Sequence, residues 1–393
     1  MFVYKNLLLT LIVTTWNSLA KGDPVVPYTL AEPSEPSAAG RGGAFATSTD
    51  TVLFSLNPAT LGAEAEKNSG WVTGGQFPHF IIGVNPLSKK LIQESINPKD
   101  NNNDSVANEI LGKSGDSKEI FGRATAMPNL TLKRFRLTFF TNTMAFGYLS
   151  PTQTEQFTQV DGNLVGYSEK TDLFFRSDNG VAGSLSIPFK DTGFSIGTTV
   201  KYVHRISYYG ELPTGDQVNK ESTKEIKEDI NRTRGVPVDV GIYKSLQKHR
   251  NIQFGVIAKD VGNTVYRGTK TGGKHQEVDH MTWGVGSAWH SSLRDTFVAS
   301  TFMEVQNLNQ KEYSPQEKVR IGLQLKLQDS DMKPAIALSG GFNGFGPTAG
   351  FNMDLIFLRV FGSMHKGRQN YVNHSSKTST YRYLVGIDVD LLR

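Results

Sequence analysis

From about Trp71 onward the chain alternates between apolar and polar or small residues. In "GFSIGTTVKYVHRISYYG", Phe194, Ile196, Thr198, Val200, Tyr202, His204 and Ile206 fall on one side, and Ser195, Gly197, Thr199, Lys201, Val203 and Arg205 on the other. A period of two predicts an extended strand whose faces meet two different surroundings. "GVPVDVGIYKS" repeats the pattern, with Val236, Val238, Val240 and Ile242 opposite Asp239 and Gly241. So does "EKVRIGLQLKLQ", where Val319, Ile321, Leu323, Leu325 and Leu327 oppose Arg320, Gly322, Gln324 and Lys326. "TYRYLVGIDVDLL" sets Tyr381, Tyr383, Val385, Ile387, Val389 and Leu391 against Arg382, Gly386, Asp388 and Asp390. In "HMTWGVGSAWH" the larger residues Met281, Trp283, Val285 and Trp289 alternate with small ones.

A soluble sandwich alternates too, but three features favour a membrane barrel. The second face is rich in Gly, Lys, Arg and Asp, as a wet lumen requires. The strands run to roughly 10–14 residues, where sandwich strands average about five or six. Aromatic residues gather at expected strand ends, in Tyr208 and Tyr209, Trp283 and Trp289, and Tyr381 and Tyr383, as interfacial girdles do. Strand centres fall near residues 74, 135, 146, 170, 184, 200, 240, 255, 284, 300, 322, 337, 355 and 386. The expected fold is therefore an all-β, transmembrane antiparallel barrel of about 14 strands, an even number as in bacterial outer-membrane barrels. Two stretches interrupt the rhythm: a polar, partly helical insert at 86–124 and a charged loop at 211–234.

The amino-terminal end divides differently. Residues 1–20 carry Lys5, an apolar run from Leu7 to Trp16 and small residues at Ser18 and Ala20, the plan of a secretory leader cleaved after Ala20. A retained anchor is the alternative, although the run of about ten residues is short for a span. The Pro-rich stretch 21–37 reads as an extended arm, 38–66 as a separate small-residue segment, and 67–393 as the barrel. Composition fits this division: of 393 residues 39 are Gly, 10% are aromatic and none is Cys, so disulfides, thiolate metal sites and a Cys nucleophile are excluded. The net charge of +5 is spread without a basic block, which argues against nucleic acid as a partner.

No catalytic constellation emerges. "LGKSG" (111–115) lacks the earlier Gly of a phosphate loop, because position 107 is Ala. His275, Asp279, His280 and His290 do not make a metal site, since Asp279 and His280 are adjacent on an expected strand and point to opposite faces. No GxSxG is present. The expectation is a non-enzymatic protein without cofactor or metal.

The segment "GRGGAFATSTDTVLFSLNPATLG" resembles the amino-terminal signature of the long-chain fatty-acid transport porins (FadL-like barrels) and their relatives, including PorV-like barrels of type IX secretion and TraF-like barrels. Asn57, Pro58 and Ala59 match the NPA element, followed here by Thr60. Gly40, Gly42, Gly43 and Ala44 match the small-residue run, and Asp50 the acidic position. "FGVIAKDVGN", "EKVRIGLQLKL" and "GFNGFGPTAGFNMDL" agree loosely. The resemblance implies a 14-stranded barrel in a Gram-negative outer membrane, with the segment folded into the lumen as a hatch. Small side chains suit a backbone laid close to a crowded wall, and Pro58 suits the end of an element. Phe45, Leu53, Phe54 and Leu56 would supply apolar grip. The hatch residues named by this reading are Gly40, Gly42, Gly43, Phe45, Asp50, Phe54, Leu56, Asn57, Pro58 and Ala59.

Two functions remain open at this point. One is transport of a hydrophobic or amphipathic, fatty-acid-like small molecule past a moving hatch, with outer-membrane lipid around the barrel. The other is a docking or shuttle barrel for an envelope or secretion protein partner, with the charged loop at 211–234 as its natural contact. Independently of both, the segment is either a moving gate or a plain structural plug.

Overall fold

The computed structural model describes residues 38, 39, 41, 43, 44, 46, 47 and 57–62 near the amino terminus. Beyond them it describes 74–86, 118–149, 157–160, 163–166, 170–189, 191–213, 230–246, 251–268, 277–294, 296–311, 313–327, 335–355, 358–367 and 380–390. The expected leader and arm lie outside these residues.

The strand segments in chain order are β1 (Gly74–Val84), β2 (Lys118–Ala126), β3 (Asn129–Leu132), β4 (Phe135–Leu149), β5 (Phe157–Val160), β6 (Asn163–Gly166), β7 (Lys170–Phe189) and β8 (Phe194–Pro213). They continue as β9 (Asn231–Gly235), β10 (Val238–Ser245), β11 (Ile252–Lys259), β12 (Thr264–Gly268), β13 (Glu277–Asp279), β14 (Thr282–Arg294) and β15 (Phe297–Val305). After one helical turn, α1 (Pro315–Lys318), come β16 (Val319–Leu327), β17 (Ala335–Phe342), β18 (Pro347–Leu355), β19 (Leu358–Gly367) and β20 (Thr380–Asp390).

Each strand pairs antiparallel with its neighbour, and β1 closes the ring by pairing with β20 from Gln76↔Asp390 to Val84↔Tyr383. Closure removes the free edges that an open sheet would expose, so every backbone polar group of the wall can be satisfied within lipid. β5 and β6 form a separate hairpin. Four wall strands are each made of two segments, β2 with β3, β9 with β10, β11 with β12 and β13 with β14, and the wall is a closed antiparallel barrel of 14 strands.

Local sequence explains the interruptions. Met127-Pro128 separates β2 from β3, and Val236-Pro237 separates β9 from β10, because proline has no N–H to give the ladder. Between β11 and β12, Asp260, Gly262 and Asn263 all take positive φ (54°, 86° and 62°), a conformation suited to Gly and tolerated by Asp and Asn. Side chains repair the broken ladder. The Asp260 amide donates to Asp239 Oδ1 (3.1 Å) and the Met281 amide to Asn263 Oδ1 (2.8 Å).

The outer face is apolar. Phe77, Ile82, Phe139, Leu323, Leu325, Leu338 and Met303 are all more than half exposed, and Ile196, Val200 and Tyr202 project outward from β8. Their neighbours Ser195, Thr199, Val203 and Arg205 are buried, so the alternation read from sequence is the alternation of lipid face and lumen. Short connections lie at one rim, at Lys133-Arg134 and at 190–193 for example. The strand ends Val84, Lys118, Pro213 and Asn231, which flank longer stretches, lie at the other, which is the external rim in barrels of this kind.

Several expectations need correction. The centres near 135 and 146 belong to one strand, β4, and those near 170 and 184 to β7. β2 and β19 had no centre, so the strand number came out right through compensating differences. The stretch read as an insert ends before Lys118, because β2 forms there. Both ends of the stretch 211–234 read as a charged loop are strand, since β8 runs to Pro213 and β9 starts at Asn231, and residues 214–229 lie outside the described residues. Tyr208 is 5% exposed and is not part of an interfacial girdle.

Candidate functional site in the barrel lumen

The inner wall carries glycines where the amino-terminal segment lies against it. A Cβ at Gly197 (β8) would collide with the Pro58–Ala59 backbone, one at Gly241 (β10) with Asn57, one at Gly255 (β11) with the Ala46 carbonyl, and one at Gly322 (β16) with the Arg41 carbonyl. Gly197 opposes Gly241, and Gly255 opposes Gly286, whose Cβ would sit 3.2 Å from that of Ala46. The face read as small for the sake of a wet lumen is small because another piece of backbone occupies the space. A Gly255→Val variant is expected to displace the segment while leaving β11 paired. The expected readout is faster protease cleavage between residues 38 and 62, at least about tenfold if the clash destabilises the seated segment by more than about 1.4 kcal/mol.

Hydrogen bonds fix the segment in place. Asn57 Nδ2 lies 2.8 Å from the Ala46 carbonyl, 2.9 Å from that of Ile242 and 3.2 Å from that of Val256, so one amide ties two parts of the segment to β10 and β11. Its Oδ1 accepts from the Ala59 amide (3.1 Å) and its carbonyl accepts from the Thr60 hydroxyl (2.8 Å), closing a turn over Asn57–Thr60. Ser186 (3.1 Å) and Ser195 (2.6 Å) donate to the Ala59 carbonyl from β7 and β8. Higher up, Glu304 Oε2 accepts the Ala46 amide (2.7 Å), and Gln306 Nε2 donates to both the Gly43 carbonyl (2.7 Å) and Glu304 Oε1 (2.8 Å). Gly43 has φ 81°, so a side chain there would strain the turn whose amide returns to the Ala38 carbonyl (2.7 Å). Arg41, fully buried, lays its guanidinium 4.7 Å from the Phe302 ring.

Further toward the long-loop rim stands a belt of charge. Arg205 donates to Asp178 (2.8 Å), Glu277 (3.2 Å) and Asp279 (2.6 Å) and sits 3.5 Å over the Tyr266 ring. Arg176 bonds Asp178 (2.8 Å) and Asp279 (3.1 Å), and the Ser207 hydroxyl bonds Glu277. Asp279 therefore belongs to an ionic network inside the barrel, whereas His280 is exposed. Lys201 and Asp239 form a separate pair (2.6 Å) nearer the segment.

Beside this belt the lumen turns apolar. Phe121, Phe146 and Phe174 stand on β2, β4 and β7 as cross-strand neighbours, with ring centroids 5.2 and 5.9 Å apart. Ile81, Met144, Phe361 and Leu384 complete the cluster, and Ala39 of the amino-terminal segment belongs to it. Arg382, fully buried, places its guanidinium 4.6 Å from the Phe121 ring and 5.0 Å from that of Phe146. These are buried aromatic and aliphatic side chains with a cation laid against them, the kind of chemistry that lines small-molecule sites.

Of the hatch residues named from sequence, Gly43, Asn57, Pro58 and Ala59 are brought together on the inner wall. Gly40, Gly42, Phe45, Asp50, Phe54 and Leu56 lie outside the described residues, as does Leu53. Sequence reasoning missed Arg41, Glu304, Gln306, the three phenylalanines and Arg382. Strand parity carried part of the signal, since Arg382 and Leu384 alternate with the outward Tyr383 and Val385.

No protein-family model matches this chain, and no curated protein resembles it in sequence. Among solved structures, the TodX deltaS2S3 mutant monoaromatic hydrocarbon channel is similar at TM-score 0.50 and 9% identity, over 91% of this chain and 98% of that one. The toluene transporter TbuX of Ralstonia pickettii aligns at TM-score 0.48 and 10% identity, over 92% and 98%. Pseudomonas putida TodX aligns at 0.45 and 10%, over 90% and 96%. At such identities the likeness speaks for the fold alone, a transmembrane antiparallel β-barrel of 14 strands.

Proposed function

We propose that the protein is a non-enzymatic outer-membrane channel for a hydrophobic or amphipathic small molecule, with residues 38–62 as its stopper. The observation that carries this reading is the phenylalanine cluster inside the barrel, with Ala39 packed into it. A ligand entering the cluster competes with Ala39 for the same rings. Occupancy and seating of the segment are then coupled, because a ligand shifts an equilibrium by its preference for one state. The apolar lining takes a chain or ring, and Arg382 takes an anionic head, which suits a fatty-acid-like molecule. Asn57, Pro58 and Ala59 anchor the lower end of the stopper, and Gly43 allows its upper turn. A monoaromatic hydrocarbon, for which the TodX channel is named, is the natural alternative ligand to test beside a fatty acid.

Each methylene buried in the cluster is worth about 0.8 kcal/mol, or roughly fourfold in affinity. Equilibrium binding of a series of saturated fatty acids to purified protein is expected to tighten by about that factor per carbon until the cluster is filled. Affinity independent of chain length would sink the proposal.

A further inference from the structure

The outward face of the wall changes character at one register. Thr141 on β4 opposes Asn179 on β7, Asn179 opposes His204 on β8, His204 opposes Arg234 on β9, and Arg234 opposes Arg267 on β12. This is an unbroken polar row across five strand segments on the side of the barrel that faces lipid. Two residues nearer the short-turn rim the same face is Phe139, Val181 and Tyr202. On β8 the row lies ten residues beyond Phe194. At about 3.3 Å per residue and a tilt of about 40°, that is roughly 25 Å along the barrel axis, the height of the apolar band of such barrels. The row therefore marks the outer membrane interface.

Arg234 and Arg267 are both exposed there, and Arg232 is exposed on the same face of β9. Like charges directly opposite each other on a ladder repel, with Cβ atoms only about 5 Å apart. Among the described residues neither Arg234 nor Arg267 has an ion-pair partner. A bound anion converts that repulsion into attraction, and guanidinium forks match the oxygens of phosphate. A phosphate monoester carries about −1.5 to −2 at neutral pH, enough to answer two arginines, whereas the phosphodiester of a glycerophospholipid carries a single charge.

We propose that Arg234 and Arg267, with Arg232 beside them, form a docking site on the outside of the barrel for the phosphomonoester headgroup of an outer-leaflet glycolipid of the lipid A type. The proposal rests on the reading of the chain as an outer-membrane barrel with its long loops outside, and not on what passes through the lumen. The site holds the barrel at a fixed depth and places an ordered lipid against the interrupted strands β9 and β12.

The test uses the full processed chain in phosphatidylcholine vesicles, titrated with fluorescent lipid A bearing both phosphates. Arg234→Gln combined with Arg267→Gln is expected to weaken binding at least about tenfold, and removal of the phosphates from lipid A is expected to do the same to the unaltered protein. Arg234→Lys with Arg267→Lys is expected to fall between the Gln variant and the unaltered protein, keeping the charge but losing the guanidinium fork. Unchanged heat-modifiable migration shows that the variants fold. Equal affinity of the Gln variant overturns the proposal, and so does equal binding of dephosphorylated lipid A. Phosphatidylglycerol competing as well as lipid A overturns it too, by assigning the site to phospholipid. Uptake of a labelled fatty acid by cells carrying the Gln variant is expected to match that of cells carrying the unaltered protein, which separates failure here from failure of the transport reading.

Discussion

An Asn57→Ala variant is expected to leak. The Asn57 amide is within 3.2 Å of three buried carbonyls, belonging to Ala46, Ile242 and Val256, and its Oδ1 holds the Ala59 amide. Alanine takes this partner from the Ala46 carbonyl and the Ala59 amide in a site that the packed segment closes to water, while Ile242 and Val256 keep their places in the wall ladder. Each unsatisfied buried group costs about 1–3 kcal/mol, so the seated state loses about 3 kcal/mol against the displaced one. That is roughly a hundredfold rise in the displaced fraction. Single-channel recording in planar bilayers is the check, with frequent large openings expected from the variant and few from the unaltered protein. Asn57→Asp should leak as well, because it keeps the acceptor for Ala59 but turns a donor into a second acceptor facing the carbonyls. The barrel itself should persist in both, since no wall hydrogen bond depends on Asn57. Identical traces from all three proteins would show that the segment is held by something else.

The second large effect is expected from the phenylalanines. Phe146 lies between Phe121 and Phe174 and beneath Arg382, so Phe121→Ser with Phe146→Ser removes the middle of the apolar lining and puts hydroxyls in its place. Losing two rings forfeits about 3 kcal/mol or more of apolar contact with a ligand, taking about 1.5–3 kcal/mol for each buried aromatic side chain. Uptake of a labelled fatty acid or monoaromatic hydrocarbon by cells carrying the variant is expected to fall at least about tenfold. The wall should still form, because the exchanged side chains point inward and the ladders of β2 and β4 are backbone bonds. Uptake at the unaltered rate would place the ligand's path away from these rings.

The parts legible in the sequence were those with a local cause. Alternation survived intact in β8, β10, β16 and β20, since a strand between lipid and lumen must change character at every residue. Pro237 and the Asp260-Val261-Gly262-Asn263 run break their strands by their own backbone preferences, but the alternation on either side of Pro237 masked the first break and the sequence reading carried one strand from Val236 to Ile242. Asn57-Pro58-Ala59 stood out through its resemblance to the NPA element of the fatty-acid transport porins, and Pro58 by itself announced only the end of an element. The parts that stayed hidden depend on distant partners. Nothing near Ala46 announces Glu304, which lies 258 positions away. Phe121, Phe146 and Phe174 look like the phenylalanines that face lipid, and only the register of β2, β4 and β7 turns them inward together. Glycine on the inner face was ambiguous for the same reason: a lumen filled with water and a lumen filled with backbone both select small residues.

The most direct test of a stoppered barrel uses the absence of cysteine from the chain. Ala46→Cys with Gly286→Cys brings two Cβ positions to about 3.2 Å, close to the lower end of the roughly 3.5–4.5 Å range of a disulfide. With the bond formed, the segment is tied to β14 and ligand uptake into proteoliposomes should stop; with the bond reduced, uptake should return. Undiminished uptake through the oxidised, fully cross-linked protein would mean that the segment does not have to move for a ligand to pass.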